Sequence, residues 1–461
     1  MIELLIFTTV ALVAGSGGYL LLLSRVRNQA AAWRHAASKC GLTGLRQPST
    51  AVLDWPTRLE GRKGDLRIRF ERSTGGESKG GTRLIVAGLG HVVTLRRETG
   101  GTHLRKRFLG EREIAIGDEG FDDFFFVQGS PAVIRALLDT DMRSALRYLF
   151  SGRIGSVPAT VALEGGAFYV DISETLVGGD GEWLSNILDN VFRVAERLVL
   201  PVDIPRRLAE NARNDRLVDV RLRNLLTLIE EYPGHAAVGD ALRAACHDAS
   251  DEIRIRAAIA IGGESNETLL EMASRESGDE AYTARAIEAL GQDLPPQRVQ
   301  AILDSALRGR RRQTARACLE ILGRHGGAEA VESLTRVVRV DKEELAVAAA
   351  QALGATGLVA AQWPLIEALR RDHPDLQAAA ARALGLLGTA EAVLPLREAA
   401  ERFQRDRALS SASRQAIAEI QSRLAGASPG QLSLTGGGAG RLALAGNESG
   451  QLSLTDDPEA P

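Results

Sequence analysis

Apolar positions change their spacing three times along the chain. Leu4 to Leu23 form a 20-residue stretch without a charge. That is long enough to cross a bilayer as one helix, so residues 1–24 read as a transmembrane anchor. Residues 26–39 are Ala-rich, include Trp33, and read as a helical stalk within a linker over 25–54. From Trp55 the period becomes two. Leu66, Ile68 and Phe70 alternate with Arg67, Arg69 and Glu71, a half-buried strand with a charged outer face. Further strands are predicted at Arg83–Gly88, Val92–Arg97, near His103–Phe108, at Thr160–Leu163 and at Phe168–Ile172, with turns at Thr99-Gly100-Gly101 and Gly165-Gly166. Pro131 opens a helical stretch over Val133–Phe150, with Asp139 or Thr140 as a second start, and another helix spans Glu182–Leu200. Residues 55–205 therefore read as an α+β domain large enough to bury its own core.

Beyond residue 206 the spacing becomes helical and repeats. Ala289-Leu290-Gly291, Ala352-Leu353-Gly354 and Ala383-Leu384-Gly385 punctuate it, and Gly262 and Gly323 close related endings. Gly323, Gly354 and Gly385 lie 31 residues apart, and Gly327, Leu358 and Thr389 keep the same step. A fixed period of this size with helical spacing inside it predicts a superhelical solenoid of stacked helix pairs over 206–425. The pairs fall at 216–231 with 236–247, 251–262 with 266–275, 280–291 with 296–307, 311–323 with 327–339, 343–354 with 358–371 and 375–387 with 390–403, closed by 408–424. The glycine after each first helix is expected to supply a left-handed C-terminal turn. The fold class is thus an α+β domain plus an all-α solenoid behind one N-terminal transmembrane helix.

The phrase Asp251-Glu252-Ile253-Arg254-Ile255-Arg256-Ala257-Ala258-Ile259-Ala260-Ile261-Gly262 resembles the first helix of the short HEAT-like repeats, including the type found in bilin-attaching lyases. The resemblance covers about 170 residues. It implies a group of adaptors, regulators and a few enzymes. The family's arginine after the hydrophobic position maps to Arg256 and Arg285, slips by one at Arg316, and is lost in the repeats at 343 and 375. The segment from Gly117 through Asp118, Asp122 and Asp123 to Leu138 resembles uncharacterised bacterial membrane-tethered domains, which implies a tethered cytoplasmic domain and assigns no chemistry.

Bulk composition is that of an ordinary globular protein, with 44% hydrophobic and 25% charged residues. The net charge of −3 hides an asymmetry: residues 25–112 carry 19 Lys/Arg against 7 Asp/Glu, and residues 113–461 carry 37 against 51. The basic part fits an anionic inner-leaflet lipid surface, or it is ordinary domain composition. Arg25, Arg27, Arg34 and Lys39 follow the apolar stretch and only Glu3 precedes it, so the positive-inside rule puts the bulk of the chain in the cytoplasm of a single-pass inner-membrane protein. Ala11 with Gly15 and Ala14 with Gly18 make small-xxx-small patterns through which two spans could pack as a homodimer. Cys40, Cys246 and Cys318 are far apart and in no C-x-x-C pair, which argues against a disulfide framework or zinc site.

First helices of the solenoid open on acids, which favour the positive end of the helix dipole. The repeat near 310 instead brings Arg308, Arg310, Arg311, Arg312 and Arg316. Either solvation and adjacent acidic repeats compensate, or an anionic partner does. Five arginines without interleaved aromatics in an acidic solenoid make a poor nucleic-acid platform, so none is expected. In the tail over 426–461, rich in Gly, Ser, Pro and Asp, a ten-residue repeat places Leu432 and Leu434, Leu442 and Leu444, and Leu452 and Leu454 on one face of an extended strand. These copies could add edge strands to a partner, or be low-complexity slippage. The acids Asp118, Asp122 and Asp123 lack the calcium-loop spacing, and no nucleotide, hydrolase or zinc-protease motif appears. The sequence therefore reads as a membrane-anchored scaffold for protein partners, without a cofactor and not an enzyme. The alternative is an enzyme or enzyme-assembly factor of the bilin-lyase-like group.

Overall fold

A computed structural model describes residues 27–47, 58–73, 81–90, 93–97, 113–154, 157–172, 182–199, 202–340, 344–402 and 407–423, and the short segments 432–434 and 442–444. The chain forms two compact units that divide between Asp248 and Ala249.

Among the described residues the first unit holds nine antiparallel strands. These are β1 (Thr43–Arg46), β2 (Arg58–Lys63), β3 (Leu66–Arg72), β4 (Thr82–Ala87), β5 (Thr94–Arg97), β6 (Phe125–Gln128), β7 (Arg153–Ile154), β8 (Val157–Glu164) and β9 (Ala167–Ile172). Their order is β1-β2-β3-β4-β9-β8-β5-β6, with β7 beside β8. The alternation read from the sequence fixes which face is inside. Leu59, Phe70, Leu84, Val170 and Val161 stand opposite one another across five strands and are all buried. A one-residue slip of any strand would turn its share of that row to solvent. Gly165 and Gly166 both adopt positive φ, 58° and 73°, which the tight β8–β9 hairpin needs.

Helix α1 (27–39), expected as a stalk, packs into this core. Trp33 is 1% exposed, stacks on Phe70 with ring centroids 6.1 Å apart, and donates its indole N–H to Thr82 Oγ1 at 3.0 Å.

The acidic loop is a structural turn. The short helix α2 (Glu119–Asp122) is capped by Asp118, whose Oδ1 accepts from the Phe121 amide, while the Asp122 carboxylate accepts from the Ile116 and Gly117 amides at 3.0 and 2.9 Å. The stretch after Pro131 splits into α3 (Pro131–Leu137) and α4 (Thr140–Leu149), because Asp139 caps a new start through the Met142 amide. Helix α5 (Glu182–Val199) buries Leu184, Ile187, Leu188, Val191 and Phe192 in the unit's core. Helices α6 (Ile204–Asn214), α7 (Val218–Glu231) and α8 (Ala236–Ala245) complete the unit. Arg143 of α4, with a side chain 4% exposed, clamps Asp215 beyond α6 through Nη1 and Nη2 at 2.9 and 3.2 Å and reaches Asp118 through Nε at 2.9 Å.

The second unit is a helical repeat. First helices are α9 (Asp251–Ile261), α11 (Glu280–Leu290), α13 (Arg312–His325), α15 (Glu344–Ala355), α17 (Pro374–Leu387) and the closing α19 (Arg407–Arg423). Second helices are α10 (Asn266–Ala273), α12 (Pro296–Arg308), α14 (Ala328–Val340), α16 (Gln362–Leu369) and α18 (Val393–Arg402). The glycines of the repeat do two different things. Gly262 and Gly291 follow α9 and α11 with φ of 76° and 53°, the expected left-handed turns. Gly323, Gly354 and Gly385 instead lie inside α13, α15 and α17, buried against the next first helix. A Cβ on Gly323 would sit 2.8 Å from Ala352 O, and one on Gly354 would sit 2.8 Å from Ala383 Cβ. Backbone-to-backbone approach replaces the turn as the reason for these three glycines.

Among the described residues no helix is long and apolar enough to cross a membrane. Helix α5 has 18 residues but carries Glu182, Asp189, Arg193, Glu196 and Arg197, each costly in hydrocarbon. The stretch Leu4–Leu23, and the homodimer contact drawn from it, lie outside the described residues. The described architecture is a sheet domain and a helical half, with no helix among the described residues long and apolar enough to cross a membrane. This corrects the expected fold class and, with it, the single-pass inner-membrane placement.

Candidate anionic-partner cleft

The connection from α12 to α13 gathers the arginine cluster. Arg308 ends α12, and the chain turns through Gly309, Arg310 and Arg311 into α13. The Arg310 amide donates to Leu307 O at 3.3 Å and the Arg311 amide to Ala306 O at 2.8 Å. This is the paired closure of a Schellman turn, whose left-handed position is usually glycine. Here it is Arg310, at φ 55°, the one positive-φ residue other than glycine among the described residues. A side chain there costs about 1–2 kcal/mol.

The five arginines divide by environment. Arg311 is structural: its guanidinium donates to Arg275 O and, at 3.0 Å, to Thr283 Oγ1, tying its repeat to the one before. Arg316 is exposed and pairs with Glu320 one turn on, Nε to Oε1 at 3.3 Å. Arg308, Arg310, Arg311 and Arg312 line one cleft of about 770 Å³ with Arg336, Asp304, Val337, Val340 and Leu345. Arg336 is paired with Asp304 at 2.7 Å, whereas Arg308 and Arg310 have no carboxylate partner among the described residues. Val340, 75% exposed, gives the cleft an apolar edge. Arg312 and Arg316 also line a neighbouring groove of about 730 Å³ together with Glu344, Asp375 and Arg382.

The helix dipole is compensated within the array. Glu280 of the preceding repeat accepts the Gln313 amide at 3.3 Å, so a carboxylate does reach the N-terminus of α13. The family-type arginines are engaged too: Arg285 reaches Glu252 of the preceding repeat at 2.9 Å, and Arg256 bonds the same carboxylate. Other cations close helix C-termini between repeats. Arg371 donates to Val338 O, and Arg423 donates to Gly385 O and, at 3.0 Å, to Gly388 O. The cleft's apolar edge was missed in the sequence, although Val340, following Val337 and Val338 of one helix, breaks the inward-facing period of α14.

Of the tail motif, Leu432–Leu434 and Leu442–Leu444 form an antiparallel pair with Leu432 opposite Leu444. Leu452 and Leu454 lie outside the described residues. Among the described residues no group of three His, Cys, Asp or Glu side chains is arranged to hold a metal ion. Burial pushes the thiols of Cys40 and Cys318 up to about 12, so neither is a thiolate at neutral pH.

No family model matches the chain, and no curated protein matches it. Among solved structures it is similar to human deoxyhypusine hydroxylase in complex with glycerol, at 17% identity over 47% of this chain and 95% of that one, with a TM-score of 0.22. It is similar also to the crystal structure of an engineered protein, at 19% identity over 48% of this chain and 90% of that one, with a TM-score of 0.21. Similarity at this level carries no argument, and the helical repeat rests on the geometry above.

The strain at Arg310 supplies a test of what that residue is for. Arg310→Gly relieves the backbone and is expected to stabilise the chain by about 1 kcal/mol, a gain visible in the urea midpoint. An unchanged or lowered midpoint would show that the arginine side chain itself supports the fold.

Proposed function

We propose that the HEAT-like helical unit is a protein-binding scaffold whose arginine cleft takes an acidic segment of a partner protein. The observation that carries the reading is Arg310. It occupies a strained glycine position beside Arg308, with neither cation paired to a carboxylate among the described residues. Strain kept at one residue is a pointer to use. Val340 beside these cations suits an acidic segment that also carries an aliphatic side chain, the mix of charge and apolar contact common in peptide recognition.

The test reverses the two cations, Arg308→Glu with Arg310→Glu, and compares partner capture by the tagged full chain. Arg414→Glu on α19 serves as a charge-reversal control away from the cleft. Capture is expected to fall at least about tenfold in the double variant and to hold in the control, a difference of about 1.4 kcal/mol or more in binding. Equal losses in both, or in neither, would contradict the reading. Arg310→Gly separates function from folding in the same assay: it should weaken capture while strengthening the fold.

A further inference from the structure

We infer that the chain carries its own competitor for this cleft: the acidic segment Asp456-Asp457-Pro458-Glu459. The inference rests on the cleft reading above and adds an intramolecular occupant to it.

Charge is the first argument. Residues 424–461 hold four carboxylates, Glu448, Asp456, Asp457 and Glu459, against one cation, Arg441. Three of the four fall within four residues. The cleft presents the complement, Arg308 and Arg310 beside a single acid, Asp304, that already answers Arg336. The second argument is the order of residue types. Leu452 and Leu454 run directly into Asp456 and Asp457, and in the cleft Val340 and Leu345 stand beside the arginines. A segment laid across it can seat leucine against valine while its carboxylates meet guanidinium groups. Bidentate geometry makes arginine the better cation for that pairing.

Reach is the third argument. Helix α19 ends at Arg423, and 32 residues separate that point from Asp456. The pair Leu432–Leu434 with Leu442–Leu444 folds its own stretch back, so 19 residues set the reach, and a Gly/Ser-rich chain of that length has a root-mean-square span of about 22–26 Å. Neighbouring helices pack at about 8–10 Å, so the three first-helix steps from α13 to α19 cover about 24–30 Å. A tether whose span matches the separation gives an effective concentration near the millimolar range. A segment that binds with only a dissociation constant of about 0.1 mM would then occupy the cleft most of the time.

The probe is a fluorescent peptide of residues 451–461 with both ends blocked, titrated into two full-length proteins. One is the wild type. The other carries Asp456→Asn, Asp457→Asn and Glu459→Gln, which leaves the tethered tail present but neutral. The peptide is expected to bind the neutral-tail protein about tenfold more tightly than the wild type. Adding Arg308→Glu and Arg310→Glu to the neutral-tail protein should abolish that binding. Equal affinity for the wild type and the neutral-tail protein overturns the inference, and so does binding that survives the arginine reversal. Partner capture in the same variants keeps the two readings apart. Capture that depends on the arginines but ignores the neutralised tail leaves the cleft reading standing and removes the competitor. Capture that rises when the tail is neutralised supports both.

Discussion

Arg143→Met is expected to destabilise the first unit by about 3–5 kcal/mol, among the largest losses a single substitution produces here. The guanidinium lies between Asp215, whose side chain is 1% exposed, and Asp118, and also donates to Leu138 O at 2.9 Å. Removing it leaves a buried carboxylate without its cation, and a flexible apolar side chain of similar length cannot replace five hydrogen-bond donors. The pH dependence follows from Asp215. Burial by itself would raise that carboxyl, but the Arg143 guanidinium, the Leu217 amide and the Thr140 hydroxyl outweigh it and hold the group below its ordinary value. A carboxyl depressed in the folded state contributes stability that is fully present above its unfolded value, near 3.8, and is lost as pH falls through the folded value. The wild type should therefore lose this contribution only below about pH 4. In Arg143→Met the stranded Asp215 takes up a proton at higher pH, and the urea midpoint should begin to depend on pH above that window. A pH-independent difference between the two proteins would place the effect elsewhere.

Gly354→Ala is expected to cost about 1–3 kcal/mol in the helical unit, against the usual sign for that change in a helix. Alanine in a helix interior is ordinarily better than glycine by about 1 kcal/mol. Here the added Cβ would lie 2.9 Å from Ala383 Cα and 2.8 Å from Ala383 Cβ, so the main chain of α17 must move. Gly239, in α8, supplies the contrast: a Cβ there meets only the flexible end of Arg243, nearest at 3.4 Å. Gly239→Ala should leave stability level or raise it by up to about 1 kcal/mol. In a repeat array each helix pair leans on its neighbours, so hydrogen exchange should quicken in α15 and α17 together. Opposite signs at the two glycines support backbone contact as the organising device of the later repeats. The same sign at both would reduce it to propensity.

The helices of the repeat were legible in the sequence because their signals are local. The period of 3.6 and the punctuating glycines place α11, α13 and α17 within a residue or two of where they form. The role of those glycines was less legible. A glycine that ends a helix and one that lets a neighbour approach look alike along the chain. After Gly323 and Gly354 a later glycine makes the turn, Gly326 and Gly357 with φ of 66° and 65°. Contacts set by the stacking offset left no local trace at all. Nothing near Arg311 announces that its guanidinium meets Arg275 O, 36 positions away. Strands β3, β4, β5, β8 and β9 were read from their alternation, whereas β1, β2, β6 and β7 were not, and neither was the order, since β5 lies beside β8 and β6 beside β5 by long-range pairing alone. Helix α1 was drawn toward the apolar stretch before it because Trp33 and its alanines fit either setting, and only the fold supplies Phe70 and Thr82 as partners. The arginine cluster was visible as a cluster. Its division into Arg311, which holds the repeats together, and Arg308 and Arg310, which face the cleft, is set by the stacking of the repeats.

The most direct measurement is quantitative capture by full-length wild type, Arg308→Glu/Arg310→Glu and Arg414→Glu at matched salt, with each folded state checked by its urea midpoint. A scaffold working through this cleft should yield a stoichiometric partner containing an acidic segment, retained by Arg414→Glu and depleted at least about tenfold by the double reversal at an unchanged midpoint. A partner held equally by all three proteins would contradict the cleft as the binding surface.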